Sequence, residues 1–119
     1  MHPLDALADP VRRRLLELLL PGEREAGFLT EAVHAEFGIS QPATSRHLRL
    51  LREAGLTRSR ADGRRRVYAV EPAGVREAER WLGQFRSLWE QGFDALRAEV
   101  EQDAEVDRYS EAEQNGERP

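Results

Sequence analysis

Arginine is the residue whose type and spacing promise chemistry in this 119-residue chain. Between Ser40 and Arg66 stand Arg46, Arg49, Arg52, Arg58, Arg60, Arg64, Arg65 and Arg66, against Glu53 and Asp62 alone. A guanidinium is planar and permanently charged, and its fork of donors matches phosphate oxygens or the O6/N7 edge of guanine. A local surplus of this kind is the electrostatic footprint of a polyanion partner. The formal net charge of -4 hides it: residues 1–70 hold 12 Arg and 9 acids, whereas residues 71–119 hold 6 Arg and 13 acids. A merely solvated charged face is the bland alternative, but it does not require so many like charges on one short stretch.

Other chemistry is poorly provided for. There is no cysteine, which excludes disulfides and thiolate metal sites. His2, His34 and His47 are scattered along the chain, whereas zinc needs three or four converging ligands; a site built from His2 or His34 with carboxylates is a minor alternative. No cofactor or metal is expected. Ser45 and His47 stand two apart on one predicted helix and point to different sides, so they make no nucleophile–base pair, and no Gly-rich phosphate loop is present. An enzyme is not expected. No apolar run reaches membrane-spanning length and the N-terminus lacks a secretion signal, so the expectation is a cytoplasmic protein with no membrane partner.

The arginines need a frame. Ser40 is a good N-cap, with Gln41 and Pro42 in a first turn where a missing backbone N–H costs nothing. The helix it opens runs through Leu48 and Leu51, and Gly55 can end it in a left-handed conformation. At about 100° per residue, Thr44, His47, Leu48 and Leu51 fall on one side; Gln41, Pro42, Ser45, Arg46 and Arg49 fall on the other. Leu56 to Arg60 and Arg64 to Val70 read as strands around Ala61-Asp62-Gly63. Alternation makes one hairpin face basic, and Arg60, Arg64 and Arg65 stand near its tip, placed for backbone phosphates or a neighbouring minor groove.

Upstream, Pro3 to Ala8 reads as a short helix, and Asp9-Pro10 starts a second with Val11, Leu15, Leu18 and Leu19 at core spacing. Gly27-Phe28-Leu29 reads as a brief extended stretch, with Thr30 as the cap of a third helix ending at Phe37-Gly38. The short Gly38-Ile39-Ser40 connection makes the third and fourth helices a helix-turn-helix unit. The expected fold class is mainly α with a small β-hairpin wing, a winged helix-turn-helix of four helices, two strands and a last helix.

That last helix opens at Pro72 and is read as one long element. Val75, Ala78, Leu82, Phe85, Trp89, Leu96 and Val100 follow three- and four-residue steps, with Gly92 filling one rung, and Trp81, Leu88 and Phe93 widen the face. So broad an apolar face on a small domain points to a second subunit. The domain reading is residues 1–100 for DNA binding and dimerisation, then an acidic, disordered tail over 101–119.

The stretches LDALADPVRRRLLELL and FGISQPATSRHLRLLREAGLTRSRADGRRRVYAV resemble the ArsR/SmtB repressors, dimeric bacterial winged-helix regulators, over roughly residues 2–96. The resemblance implies a homodimer through the first and last helices, the fourth helix as recognition helix, the hairpin as wing, and a palindromic operator on double-stranded DNA. The candidate DNA contacts are then Ser40, Gln41, Pro42, Thr44, Ser45, Arg46 and Arg49 on the helix, with Arg58, Arg60, Arg64, Arg65 and Arg66 on the hairpin. The candidate dimer contacts are Leu4, Leu7, Val75, Ala78, Leu82, Phe85, Leu88, Trp89, Phe93 and Leu96. The chain departs from the family's metal sensors, having no cysteine pair near Leu29 to Glu31 and no histidine between Val75 and Val100. It resembles a branch lacking those metal sites. The function expected is an operator-occupying repressor; the alternatives are a winged-helix protein-interaction module, or a regulator controlled by a small apolar ligand or a partner protein.

Overall fold

Asp9 starts the second helix as the sequence predicts: its Oδ1 accepts the amides of Val11 at 2.8 Å and Arg12 at 3.2 Å, and Pro10 takes the first helical position. The computed structural model describes residues 1–116; residues 117–119 and the side chains of Trp89 and of 107–116 lie outside the described residues. The elements are α1 (Pro3–Ala6), α2 (Pro10–Leu19), β1 (Arg24–Glu25), α3 (Ala26–Phe37), α4 (Gln41–Glu53), β2 (Thr57–Asp62), β3 (Arg65–Val70), α5 (Pro72–Gly83) and α6 (Arg86–Gly116). The chain divides into two units, Met1–Trp81 and the remainder from Leu82. No helix among the described residues is long and apolar enough to cross a membrane.

The first unit has one core. Leu15 and Leu19 of α2 meet Leu29 and Val33 of α3, Leu48 and Leu51 of α4, Leu56 just before β2 and Tyr68 of β3. Leu15, Leu29, Leu51 and Leu56 are fully buried, each contributing about 1.5–3 kcal/mol of apolar burial. Arg14 binds Glu36 at 2.9 Å across α2 and α3. Gly38 ends α3 in the left-handed region at φ 69°, and the His34 ring contacts the Ile39 carbonyl through Nδ1 at 2.9 Å, fixing the short link into α4.

The sheet is antiparallel with the order β1-β3-β2. β2 and β3 pair from Thr57 opposite Val70 to Asp62 opposite Arg65, which leaves Gly63 and Arg64 as a two-residue loop. Gly63 has φ +63° while no other residue type in the described chain has positive φ, the pattern of a type II′ hairpin turn.

Several expectations are corrected. The wing has a third strand, β1, and its turn is Gly63-Arg64 rather than Ala61-Asp62-Gly63. α3 begins at Ala26, so Gly27-Phe28-Leu29 is helical and Thr30 is no cap; its Oγ1 donates to the Ala26 carbonyl one turn back. α1 stops at Ala6 rather than Ala8. The long last helix is two helices, because Gly83 weakens it and the amides of Phe85 and Leu88 each bond three residues back, to Leu82 and Phe85. α6 then runs across residue 100, where a disordered tail was expected to begin. The segment from Glu101 is rich in Glu, Ala and Gln, which are good helix formers, and holds no glycine before Gly116.

Candidate nucleic-acid interface

The first turn of α4 is built by its own sequence. Ser40 Oγ accepts the amide of Ala43 at 3.3 Å, and Pro42 sits where no donor is needed. Thr44, Leu48 and Leu51 are buried, so the opposite face, with Gln41, Pro42, Ser45, Arg46 and Arg49, is exposed. Gln41 Nε2 donates to Ser45 Oγ at 2.9 Å, linking two outward polar groups one turn apart. Arg49 leans on Glu53 at 3.8 Å. Among the described residues, Arg46 makes neither an ion pair nor a side-chain hydrogen bond.

One expected contact is corrected. Thr44 is fully buried, and its Oγ1 donates to the Ser40 carbonyl at 3.1 Å, so it packs α4 inward and offers nothing to a ligand. His47 is half-buried at the inner edge of the same helix, its Nδ1 3.3 Å from Arg12 Nη1. Burial is the main force holding its pKa below the ordinary histidine value; the nearby Asp9 charge opposes this, while Arg12 and Arg46 add to it.

The strand register decides what the wing presents. Arg58 opposes Ala69, Arg60 opposes Val67 and Asp62 opposes Arg65, so these six share one face; Thr57, Ser59, Tyr68 and Val70 lie on the other, where Thr57 and Tyr68 are buried. Glu25 of β1 pairs with Val67, which brings it onto the arginine face. The basic face is therefore not purely basic. Arg60 meets Glu23 at 2.8 Å, Arg65 meets Glu25 at 2.7 Å and Arg58 meets Glu71 at 3.7 Å. Arg66 Nη1 donates to Ser59 Oγ at 3.0 Å. Hydrogen bonding and charge from Arg60 hold the Glu23 carboxyl below its usual range. Arg52 and Arg64 have no acidic partner among the described residues.

Sequence reading missed Glu23, Glu25 and Glu71. A count along the stretch from Ser40 to Arg66 cannot see carboxylates that the sheet carries in from either side. The one available signal was Glu23-Arg24-Glu25 itself, two acids at the two-residue spacing of one strand face.

The proposed dimer contacts are divided by the fold. In the first unit, Leu4 and Leu7 are half-buried and Val75 is exposed, but Ala78 is buried within its own unit and has no surface to offer. In the second unit Leu82, Phe85, Leu88, Phe93 and Leu96 are exposed, and the side chain of Trp89 lies outside the described residues. An apolar groove of about 250 Å³ in the first unit is lined by Leu7, Leu16, Leu20, Val70 and Val75, with Arg13 and Glu17 beside them. Among the described residues no group of three or more His, Asp or Glu side chains is placed to hold a metal ion.

A model of the helix-turn-helix domain matches residues 7–60. The chain is 31% identical over 80 residues to the transcriptional repressor SdpR of Bacillus subtilis, covering 67% of this chain and 84% of that one. A solved ArsR family transcriptional regulator superposes with a TM-score of 0.64 at 31% identity, over 75% of this chain and 93% of the other. The homodimeric winged helix-turn-helix DNA-binding domain of a possible ArsR-family regulator from Mycobacterium bovis gives a TM-score of 0.55 at 26% identity, over 75% and 76% of the two chains. Two further curated regulators are 40% and 46% identical over 59% and 55% of this chain, and the chain spans 62% and 49% of their lengths.

Proposed function

This chain belongs to the ArsR family of winged helix-turn-helix transcriptional regulators, and on that premise we propose that it is a homodimeric DNA-binding regulator which represses by occupying a palindromic operator. One observation carries the reading: α4 turns Gln41, Ser45, Arg46 and Arg49 outward while burying Thr44, Leu48 and Leu51, and Arg46 has no acidic partner among the described residues. In this geometry α4 enters the major groove. Arg46 meets a guanine edge or a phosphate, and Gln41 and Ser45 stand beside it for base or backbone contacts. Ser40 and the wing arginines Arg58, Arg60, Arg64, Arg65 and Arg66 serve the phosphates.

Two copies are needed for a palindrome. The apolar groove containing Leu7 and Val75, and the exposed Leu82, Leu88 and Leu96, are the surfaces that a second copy would cover. Repression, rather than activation, is favoured by the description of SdpR as a repressor. The protein-interaction module is not favoured, because the relatives reported above are described as transcriptional regulators. We assign no catalytic role: Ser45 Oγ is engaged by Gln41 and His47 turns towards Arg12. The site of action is the chromosome, hence the cytoplasm. Selection of bound duplexes from a random pool tests the proposal. The expected product is an inverted repeat with half-site centres about 34–36 Å, one helical turn, apart; recovery of no preferred sequence, or of a single unrepeated site, contradicts it.

A further inference from the structure

We propose that Glu23 and Glu25 restrain the wing: they occupy Arg60 and Arg65 in the free protein, and DNA phosphates must displace them. The inference rests on the DNA-binding reading above and adds a regulation of the same surface. Glu25, Val67 and Arg60 form one rung across the three strands, and Arg65 lies two residues along β3 on the same face. The ion pairs are 2.7 and 2.8 Å long, the lengths of charge-assisted hydrogen bonds. Glu23, Arg58, Ser59, Arg60, Val67 and Ala69 line a cleft of about 60 Å³, so Glu23 sits within the arginine surface rather than beside it.

A carboxylate and a phosphate seek the same guanidinium fork. Both Glu side chains are about half exposed, at 49%, and Arg60 and Arg65 are 56% and 68% exposed. Exposed pairs of this kind are weak, so DNA can break them, at a cost of roughly two- to fivefold in affinity for each pair. That cost falls on every duplex alike, because phosphate contacts carry no sequence information. Operator and random DNA are thus weakened by the same factor; the acids set the absolute strength of phosphate binding, which for random DNA is nearly all the binding there is. Glu71, farther from Arg58 at 3.7 Å, offers a graded comparison.

The test is the affinity of the full chain for a random duplex, read by fluorescence anisotropy at low and moderate salt, in E23Q/E25Q, in R60Q/R65Q and in the variant combining all four changes. Gln keeps the shape of Glu and removes its charge. Restraint predicts that E23Q/E25Q binds random duplex about four- to twenty-fivefold more tightly than the parent. It also predicts that the same two changes alter affinity by less than about twofold once Arg60 and Arg65 are gone, and that E71Q has a smaller effect than E23Q/E25Q. An equal gain in both backgrounds means only a long-range charge effect, and a loss of affinity means that the acids orient the arginines for phosphate; either overturns the proposal while leaving DNA binding intact. Absence of salt-sensitive duplex binding in every variant overturns the DNA-binding reading and this proposal with it.

Discussion

Arg12 of α2 donates a guanidinium N–H to Nδ1 of His47 on α4 across 3.3 Å. A guanidinium can only donate, so Nδ1 accepts and the ring proton of neutral His47 sits on Nε2. Arg12 also donates through Nε to the Ala6 carbonyl at 2.6 Å, so one side chain ties the end of α1 to the inner edge of the helix proposed to read DNA. Arg46 precedes His47 on α4 and is exposed.

The burial of His47 makes stability depend on pH. Burial lowers the folded pKa of His47 from the ordinary 6.5, so below that value the unfolded chain binds the proton more readily than the folded one. The His47 contribution is therefore complete above about pH 6.5 and is lost as the pH falls through the folded pKa. Asp9, held below its ordinary 3.8 by the Arg12 and Val11 amides against the opposing effect of burial, stays charged across this window. Thermal melts from about pH 7.5 down to 5.5 should show a decline that H47Q, which keeps an acceptor for Arg12 but does not titrate, reduces. Parallel curves for the two proteins would rule out His47 as the titrating group.

Gly74 permits a close approach between two backbone segments. Its amide donates to the Gly55 carbonyl at 2.9 Å, docking the start of α5 on the turn that follows α4. A Cβ at position 74 would run into the Gly55 carbonyl, coming within 2.6 Å of its carbon and 2.9 Å of the Leu56 nitrogen. Gly74→Ala should destabilise the protein by about 1–3 kcal/mol, read as a lower denaturant midpoint at an unchanged slope. A variant as stable as the parent would show that the turn and α5 are not held together this way.

Leu88 of α6 is 63% exposed, so a charge there costs the single subunit little. If this helix supplies part of the dimer contact, Leu88→Glu should move the sedimentation-equilibrium mass towards that of one chain while leaving the circular dichroism of the helices unchanged. A fully dimeric Leu88→Glu protein would remove Leu88 from the interface.

The sequence made α4 and the hairpin legible because their signals are local. A capping serine, a proline in the first turn, Gly38 and Gly55 after α3 and α4, and the turn Gly63 all lie within a few residues of what they control. The inward and outward sides of α4 follow from helical period alone, and that period turns Thr44 inward, away from the DNA-facing side where it was expected to act. What stayed hidden is non-local. β1 has two residues, too few for any alternation, and the pairs Glu23–Arg60 and Glu25–Arg65 join positions 37 and 40 residues apart. The same limit hid the break near Gly83, since a 3.5-residue seam fits a broken pair of helices as well as one helix.

Arg46 carries the proposed DNA contact of α4 most directly. Anisotropy of a labelled operator duplex, titrated with parent, R46A and R49A proteins at two salt concentrations, measures its part in binding. The parent should bind more weakly as salt rises, and R46A should lose about 1–3 kcal/mol. R49A, whose guanidinium already leans on Glu53, should lose less. Binding that ignores salt, or an R46A protein that holds the duplex as tightly as the parent, would contradict the assignment of α4 as the helix that meets DNA.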